Sequence, residues 1–240
     1  MERLRNKPAG KTRCEGTDPA SIARAQKIQE TLRSRCSVRP FPELSAASTI
    51  AGADAAYDGD NVCTAVVLMS FPGLSEIQNV AIRSEAPFPY ISGYFAFREG
   101  PGIIEAVGKL DEKPGILIIN GHGTAHPRRF GIASHIGVLL DMPVIGVARR
   151  LMAGNYTFPL GRDSLKFPVC MGDEAVAMGI RIKPGSRPVF ISPGHKVSLD
   201  QSVEIVTMVT GGHRLPEPLR RAHKLATTRV RECRAEKGGA

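Results

Sequence analysis

Apolar residues recur along the chain with two periods, and the places where one gives way to the other outline its elements. Residues 1–16 are polar and basic, include Pro8 and Gly10, and read as a disordered segment. Asp18 followed by Pro19 marks a helix start, and Ile22, Ala25, Ile28 and Leu32 then fall at helical spacing. The stretch Arg39-Pro40-Phe41-Pro42-Glu43 rules out its continuation. Strand-like runs follow at residues 49–57, 62–69 and 77–82, separated by turn-forming residues at 58–61 and 72–75. Connections this short predict an antiparallel meander. After a loop rich in Pro, Gly and aromatic residues (86–98), the pattern predicts a helix over 101–110, a strand over 115–119, a helix over 131–141 and a strand over 143–148. That alternation asks for parallel strands joined by right-handed crossovers. Residues 151–187 look irregular, with room for a small sub-sheet. A strand over 189–192 and a helix over 198–210 precede a basic arm with helical potential.

Three antiparallel strands followed by αβαβ is the strand programme of the ribonuclease-H-like fold. The expected structure is an α/β domain with a mixed central sheet, three antiparallel strands and then parallel ones, and helices on both faces. Its expected extent is residues 17–222, between the N-terminal segment and a basic C-terminal tail at 223–240. No repeat or domain linker interrupts it.

The chain has 240 residues, 42% hydrophobic and 23% charged, enough for one domain with a sizeable core and of soluble, globular composition. No apolar run approaches the length of a membrane span, and the first residues lack the apolar core of a secretory signal. Five scattered cysteines without a CxxC pair indicate neither a zinc site nor a disulfide framework, so a reducing, cytoplasmic setting is expected. The net charge of +9 sits mostly at the ends, +3 in residues 1–12 and +5 in residues 219–240. Basic ends suggest a polyanionic partner such as nucleic acid, although solubilising tails would look the same. The near-neutral body implies that any substrate groove is basic only locally.

Candidate chemistry gathers where strands end. Asp54 lies inside the apolar run Ile50-Ala51-Gly52-Ala53-Asp54-Ala55-Ala56, where a lone acid is costly unless it is paired or binds a metal. Glu99 ends Phe95-Ala96-Phe97-Arg98-Glu99, at the mouth of the following helix, where the helix dipole alone would favour an acid. The run Ile116-Leu117-Ile118-Ile119 stops at Asn120-Gly121-His122-Gly123, and a strand running into a glycine-rich loop is a common place for α/β chemistry. His195 and Asp200 flank a late helix start in Ser192-Pro193-Gly194-His195-Lys196-Val197-Ser198-Leu199-Asp200, which Ser198 alone would explain as a cap. Acidic oxygens around Mg2+ would hold a phosphodiester and polarise an attacking water.

Six long motifs carry a resemblance: "IAGAD" (50–54), "PYISGYFAFRE" (89–99), "GHGTAHPRRFGIASHIG" (121–137), "PVIGVARR" (143–150), "GHKVSLD" (194–200) and "HRLPEP" (213–218). In their order and over residues 20–222 the chain closely resembles the endonuclease V family, inosine-directed nucleases of the ribonuclease-H-like fold. The resemblance implies Mg2+-dependent hydrolysis, with Mn2+ as an alternative ion, of a phosphodiester 3′ to a deaminated purine in DNA or RNA. It implies Asp54, Glu99 and position 120 as metal ligands, position 149 as a catalytic cation, and His195 as a group that positions the attacking water or a second metal. Pro89, Tyr90 and Ile91 would form a wedge beside the lesion, with Tyr90 stacking on bases. Gly93, Gly121, His126 and Gly131 would line the pocket of the flipped base, and Arg128 and Arg129 would donate to phosphates. The expected partner is inosine-containing nucleic acid, bound by a monomer away from membranes.

Three positions depart from the family pattern, two of them in the candidate catalytic set. Asn120 stands where the family has a metal-binding Asp, and Arg149 where it usually has Lys; Ser92 replaces a proline in the wedge loop. An amide oxygen can ligate a hard cation but brings no negative charge. A nuclease of weakened activity is expected, with a non-cleaving inosine-binding homologue as the alternative. Asn120-Gly121 is also a deamidation-prone dipeptide, which could restore an acid.

Overall fold

The computed structural model describes residues 18–157 and 165–238; the N-terminal segment 1–16 lies outside them. Helix α1 (Pro19–Arg33) is capped by the Asp18 side chain and has Pro19 in its first turn, as the sequence predicts. Strands β1 (Thr49–Asp58), β2 (Asn61–Ser70) and β3 (Glu76–Glu85) form the antiparallel meander. Helix α2 (Phe95–Gly108), strand β4 (Ile116–Asn120), helix α3 (Ile132–Leu140) and strand β5 (Val144–Ala148) follow, and β1, β4 and β5 pair in parallel.

Helix α2 starts six residues before the expected position, so Pro101 lies inside it rather than at its first turn. The proline forfeits one backbone hydrogen bond. Burial of Ala96, Ile103, Ala106 and Val107 against the sheet offsets that loss. The earlier start places Glu99 within the helix, not at its mouth.

The stretch read as irregular contains a hairpin, β6 (Lys166–Met171) and β7 (Glu174–Ile180), which joins the main sheet through β8 (Val189–His195). The eight strands run in the order β3-β2-β1-β4-β5-β8-β7-β6. Strand β8 is antiparallel to β5. The two remaining helices are α4 (Leu199–Met208), closed by a Ser198–Gln201 capping box, and α5 (Glu217–Gly238).

Strand alternation divides the core between the two faces. Ile50, Ile116, Ile118, Ile145, Val147 and Ile191 lie under α4 and α5, whereas Ala51, Ala53, Leu117 and Ile119 lie under α2 and α3. By the same alternation Asp54 and Asn120 belong to the α5 face. Helix α5 runs unbroken through the expected tail boundary at 223, with Leu219, Ala222, Ala226 and Val230 buried. The arm is thus part of the fold, because its apolar residues keep helical spacing past that boundary. Gly52 makes the close approach possible, since a Cβ there would lie 2.2 Å from the Pro218 backbone. Among the described residues no helix is long and apolar enough to cross a membrane.

Candidate active site

Asp54 and Asn120 meet because their strands are parallel neighbours in register, Ala53 opposite Ile119. Asp54 is 4% exposed, and three donors surround its carboxylate. Asn120 Nδ2 donates to Oδ1 at 2.8 Å, the Ala55 N–H donates to the same oxygen at 2.9 Å, and His223 Nδ1 approaches Oδ2 at 2.6 Å. With Asp54 ionised, Nδ1 of His223 carries the proton. His223 comes from α5, one turn past the Gly52 contact, and nearly half of its side chain stays exposed.

Glu99 faces this group from α2, on the other side of β1. The Tyr57 hydroxyl donates to its carboxylate. The Glu99 pKa is pushed up to about 7, mainly by burial and with help from the Asp54 charge, against the lowering effects of Tyr57 and Arg98. Burial, with the Glu99 charge second, holds the Tyr57 hydroxyl far above its ordinary range. Asp54, Asn120 and His223 are thus hydrogen-bonded together beside the end of β4, with Glu99 near enough to feel the Asp54 charge.

His195 does not join them. It pairs with Val144 at the start of β5, whereas Asn120 pairs with Val147 near its end. Four residues of β8 from Ile191, opposite Val147, to His195 make roughly 13 Å along the strands, and two strand spacings add about 10 Å across. There His195 Nδ1 accepts from the Ser37 N–H at 3.1 Å, and Nε2 lies 3.5 Å from Asp141. The expectation that His195 shares the cleft is corrected: the strand carrying it is antiparallel, so its carboxyl end lies at the opposite edge. The histidine at the cleft is His223, which the sequence reading had assigned to the tail. Tyr57 was missed as well. The helical spacing of Leu219, Ala222, Ala226 and Val230 was the available signal for His223; Tyr57 had none beyond lying three residues after Asp54.

Arg149 follows β5 at the same edge as Asn120, and its side chain is exposed. Pro89 and Tyr90 form an exposed tip, with the Tyr90 ring 4.9 Å from that of Phe95 and 6.4 Å from that of Tyr57. Ile91 is half-buried behind it.

Beside the cleft a small cavity, with room for about one water molecule, is lined by Gly93, His126 and Gly131 together with Gln29, Phe95, Ala96, His122, Ile132 and Met152. Gly93 has φ +87°, and three donors converge on its carbonyl: Gln29 Nε2 at 3.1 Å, His126 Nε2 at 3.1 Å and Arg128 Nη2 at 2.8 Å. The Arg128 N–H donates to His126 Nδ1, so Nε2 carries the ring proton. Gly121 stands behind the cavity wall, against Ile132. Arg128 also donates to Gln29 Oε1 at 2.7 Å and lies over the Tyr94 ring, while Arg129 pairs with Glu174. In the structure Arg128 braces the pocket wall and Arg129 braces the β6–β7 hairpin.

Oxygen donors of Asp54, Glu99 and the Asn120 carbonyl fit a hard divalent cation in kind. Among the described residues no three His, Cys, Asp or Glu side chains are placed to hold a metal ion, so the amide is needed to complete the set. The amide is also protected. Deamidation of Asn-Gly requires the glycine nitrogen to attack the side-chain carbonyl, but Gly121 N–H donates to Val147 O at 3.1 Å and Asn120 Nδ2 is held by Asp54.

An acid within β1 beside an amide at the carboxyl end of its parallel neighbour β4, in a mixed sheet opened by a meander, marks a ribonuclease-H-like nuclease scaffold. Residues 30–224 match the family model described as Endonuclease V. The endonuclease V of Roseiflexus sp. (strain RS-1) is 40% identical over 209 residues, covering 87% of this chain and 93% of the relative. The crystal structure of endonuclease V from Streptomyces avermitilis is 35% identical with a TM-score of 0.80, covering 88% of this chain and 93% of that one. Ciona intestinalis endonuclease V, in complex with a 24mer DNA containing an inosine followed by a ribo-adenosine, is 26% identical with a TM-score of 0.79, covering 89% and 99%. The chain belongs to the endonuclease V family, a family of nucleases.

Proposed function

We propose that this protein recognises inosine in DNA or RNA and hydrolyses the phosphodiester on its 3′ side, at a rate reduced by the amide at position 120. The observation that carries this reading is the hydrogen-bonded meeting of Asp54, Asn120 and His223, with Glu99 near enough to feel the Asp54 charge and the cavity walled by Gly93 and His126 alongside. The Ciona relative's inosine-containing DNA supports the choice of base.

Asp54, Glu99 and the Asn120 carbonyl would hold a Mg2+ or Mn2+ ion, which when bound polarises phosphoryl oxygens and makes water a stronger nucleophile. His223 orients the Asp54 carboxylate and leaves nearly half of its side chain exposed to solvent. Tyr57 fixes the Glu99 rotamer. The cavity is smaller than a purine, so base entry displaces part of its wall; Met152 and Phe95, outside the clamp on Gly93, are the elements free of that network.

The wedge supplies the test of recognition. An exposed Tyr90 backed by Phe95 can stack on a base beside the vacated position. Tyr90→Ala should weaken binding to inosine-containing duplex by ~1–3 kcal/mol, with a smaller loss on single strands, as read by fluorescence anisotropy. Equal affinities of both proteins for both substrates would reduce Tyr90 to loop packing.

A further inference from the structure

We propose that Arg187, together with Arg149 and Arg214, forms a phosphate-binding cluster that holds the nucleic-acid strand alongside the cleft. The proposal deepens the functional reading above and rests on it for the identity of the polyanion.

The cluster is built by strand pairing. Ala148 pairs with Phe190, so Arg149, just after β5, and Arg187, just before β8, emerge at the same sheet edge. Arg214 ties the two segments together, because Nη2 donates to the Arg149 carbonyl at 2.9 Å and to the Pro188 carbonyl at 2.8 Å. Its Nε is buried without a partner. Asn120 lies opposite Val147, so Arg149 stands roughly 7 Å further along and one strand, about 5 Å, across from it.

Three guanidinium groups thus share one place, and among the described residues no carboxylate pairs with any of them. Burial lowers the pKa of Arg214, and the charges of Arg149 and Arg187 lower it further. Isolated exposed arginines would be solvated at little cost. Here a partly desolvated cation is held against two others, an arrangement that an anion relieves. A strand entering the cleft passes its backbone over this edge. Arg187 and Arg149 are exposed, so their donors face outward.

The experiment is a fluorescence-anisotropy titration of an inosine-containing oligonucleotide and its adenine counterpart with the full chain, over a series of NaCl concentrations. Arg187→Gln is the variant, since its exposed position leaves the core intact, and Arg187→Lys is the rescue. Arg187→Gln should weaken binding to both oligonucleotides by the same factor and lower the slope of log affinity against log salt by about 0.7–0.9. Arg187→Lys should restore most of both. An unchanged slope and affinity in Arg187→Gln would overturn the proposal. So would selective displacement of the Arg187-dependent part by millimolar inorganic phosphate, which would mark a small-anion site. A lowered slope in a protein with no preference for inosine would support the cluster and sink the reading of base recognition.

Discussion

Asn120→Asp should raise nicking of an inosine-containing oligonucleotide in Mg2+ by ten-fold to a hundred-fold. At an effective dielectric near 20, a carboxylate and a divalent ion ~4 Å apart attract by roughly 8 kcal/mol gross, before desolvation. A third of that, spread over metal affinity and transition-state stabilisation, is about two decades. The side chain barely changes volume, so packing is undisturbed. In the unmodified protein the amide nitrogen donates to Asp54 at 2.8 Å; in the variant two carboxylates face each other there. The variant should therefore be less stable without metal and gain more from it. Thermal unfolding checks this independently of catalysis: Mg2+ should raise Tm more for Asn120→Asp than for the unmodified chain. Asp54→Ala in the same background should abolish both gains. If Asn120→Asp responds to Mg2+ no more than the parent in either assay, the missing charge is not what limits this site. Intact mass should show position 120 of the parent still an amide, as its held geometry requires.

Acid should destabilise the protein before most of its carboxylates protonate; Glu99, with its pKa pushed up to about 7, is the exception. Burial pushes the pKa values of His122, His126 and His135 down to about 4. Between pH 6.5 and about 4 the unfolded chain protonates these rings while the folded chain leaves them neutral. The unfolded state then binds more protons, so stability falls as pH falls through this window and is fully present above it. Each ring contributes at most about 1.4 kcal/mol per pH unit, or roughly 3 kcal/mol over the window, a large share of a typical domain's stability. His135 is the cleanest to test, because it packs against Phe97 and Phe130 and its Nδ1 has no partner. Glu99 works the other way, because between about pH 7 and 4.5 it is protonated in the folded chain and ionised in the unfolded one. Urea unfolding at pH 7 and pH 4.5 should still show a net loss, and His135→Phe should remove about a third of the histidine part. Equal stability of the parent at the two pH values would contradict the buried, neutral histidines.

The meander and the parallel pair β4–β5 were legible because each depends on local signals, short turns and unbroken apolar runs, whereas the Asp54–Asn120 meeting was expected from the family resemblance, since it rests on the long-range pairing of β1 with β4. The start of α2 was not, because Pro101 looks like a first-turn proline and only tertiary packing allows the helix to begin before it. The error at His195 has a topological cause. The β6–β7 hairpin was hidden in a stretch rich in Gly, Pro and charge, and without it the direction of β8 could not be read. His223 was lost to composition, since a run of arginines masked the buried residues beneath it. The hold of Arg128 on the Gly93 carbonyl was not legible either, because only the three-dimensional fold brings that carbonyl to its donors.

The most direct measurement is nicking by the unmodified chain of a labelled strand carrying one inosine, in Mg2+ and in Mn2+, with product ends mapped on a denaturing gel beside the adenine counterpart. Slow cleavage 3′ to the inosine is predicted, faster in Mn2+, which generally binds such sites more tightly and with less strict geometry. The adenine strand should stay intact. Tight, inosine-selective binding with no cleavage in either metal would contradict the hydrolytic account and leave a protein that reads the base without cutting.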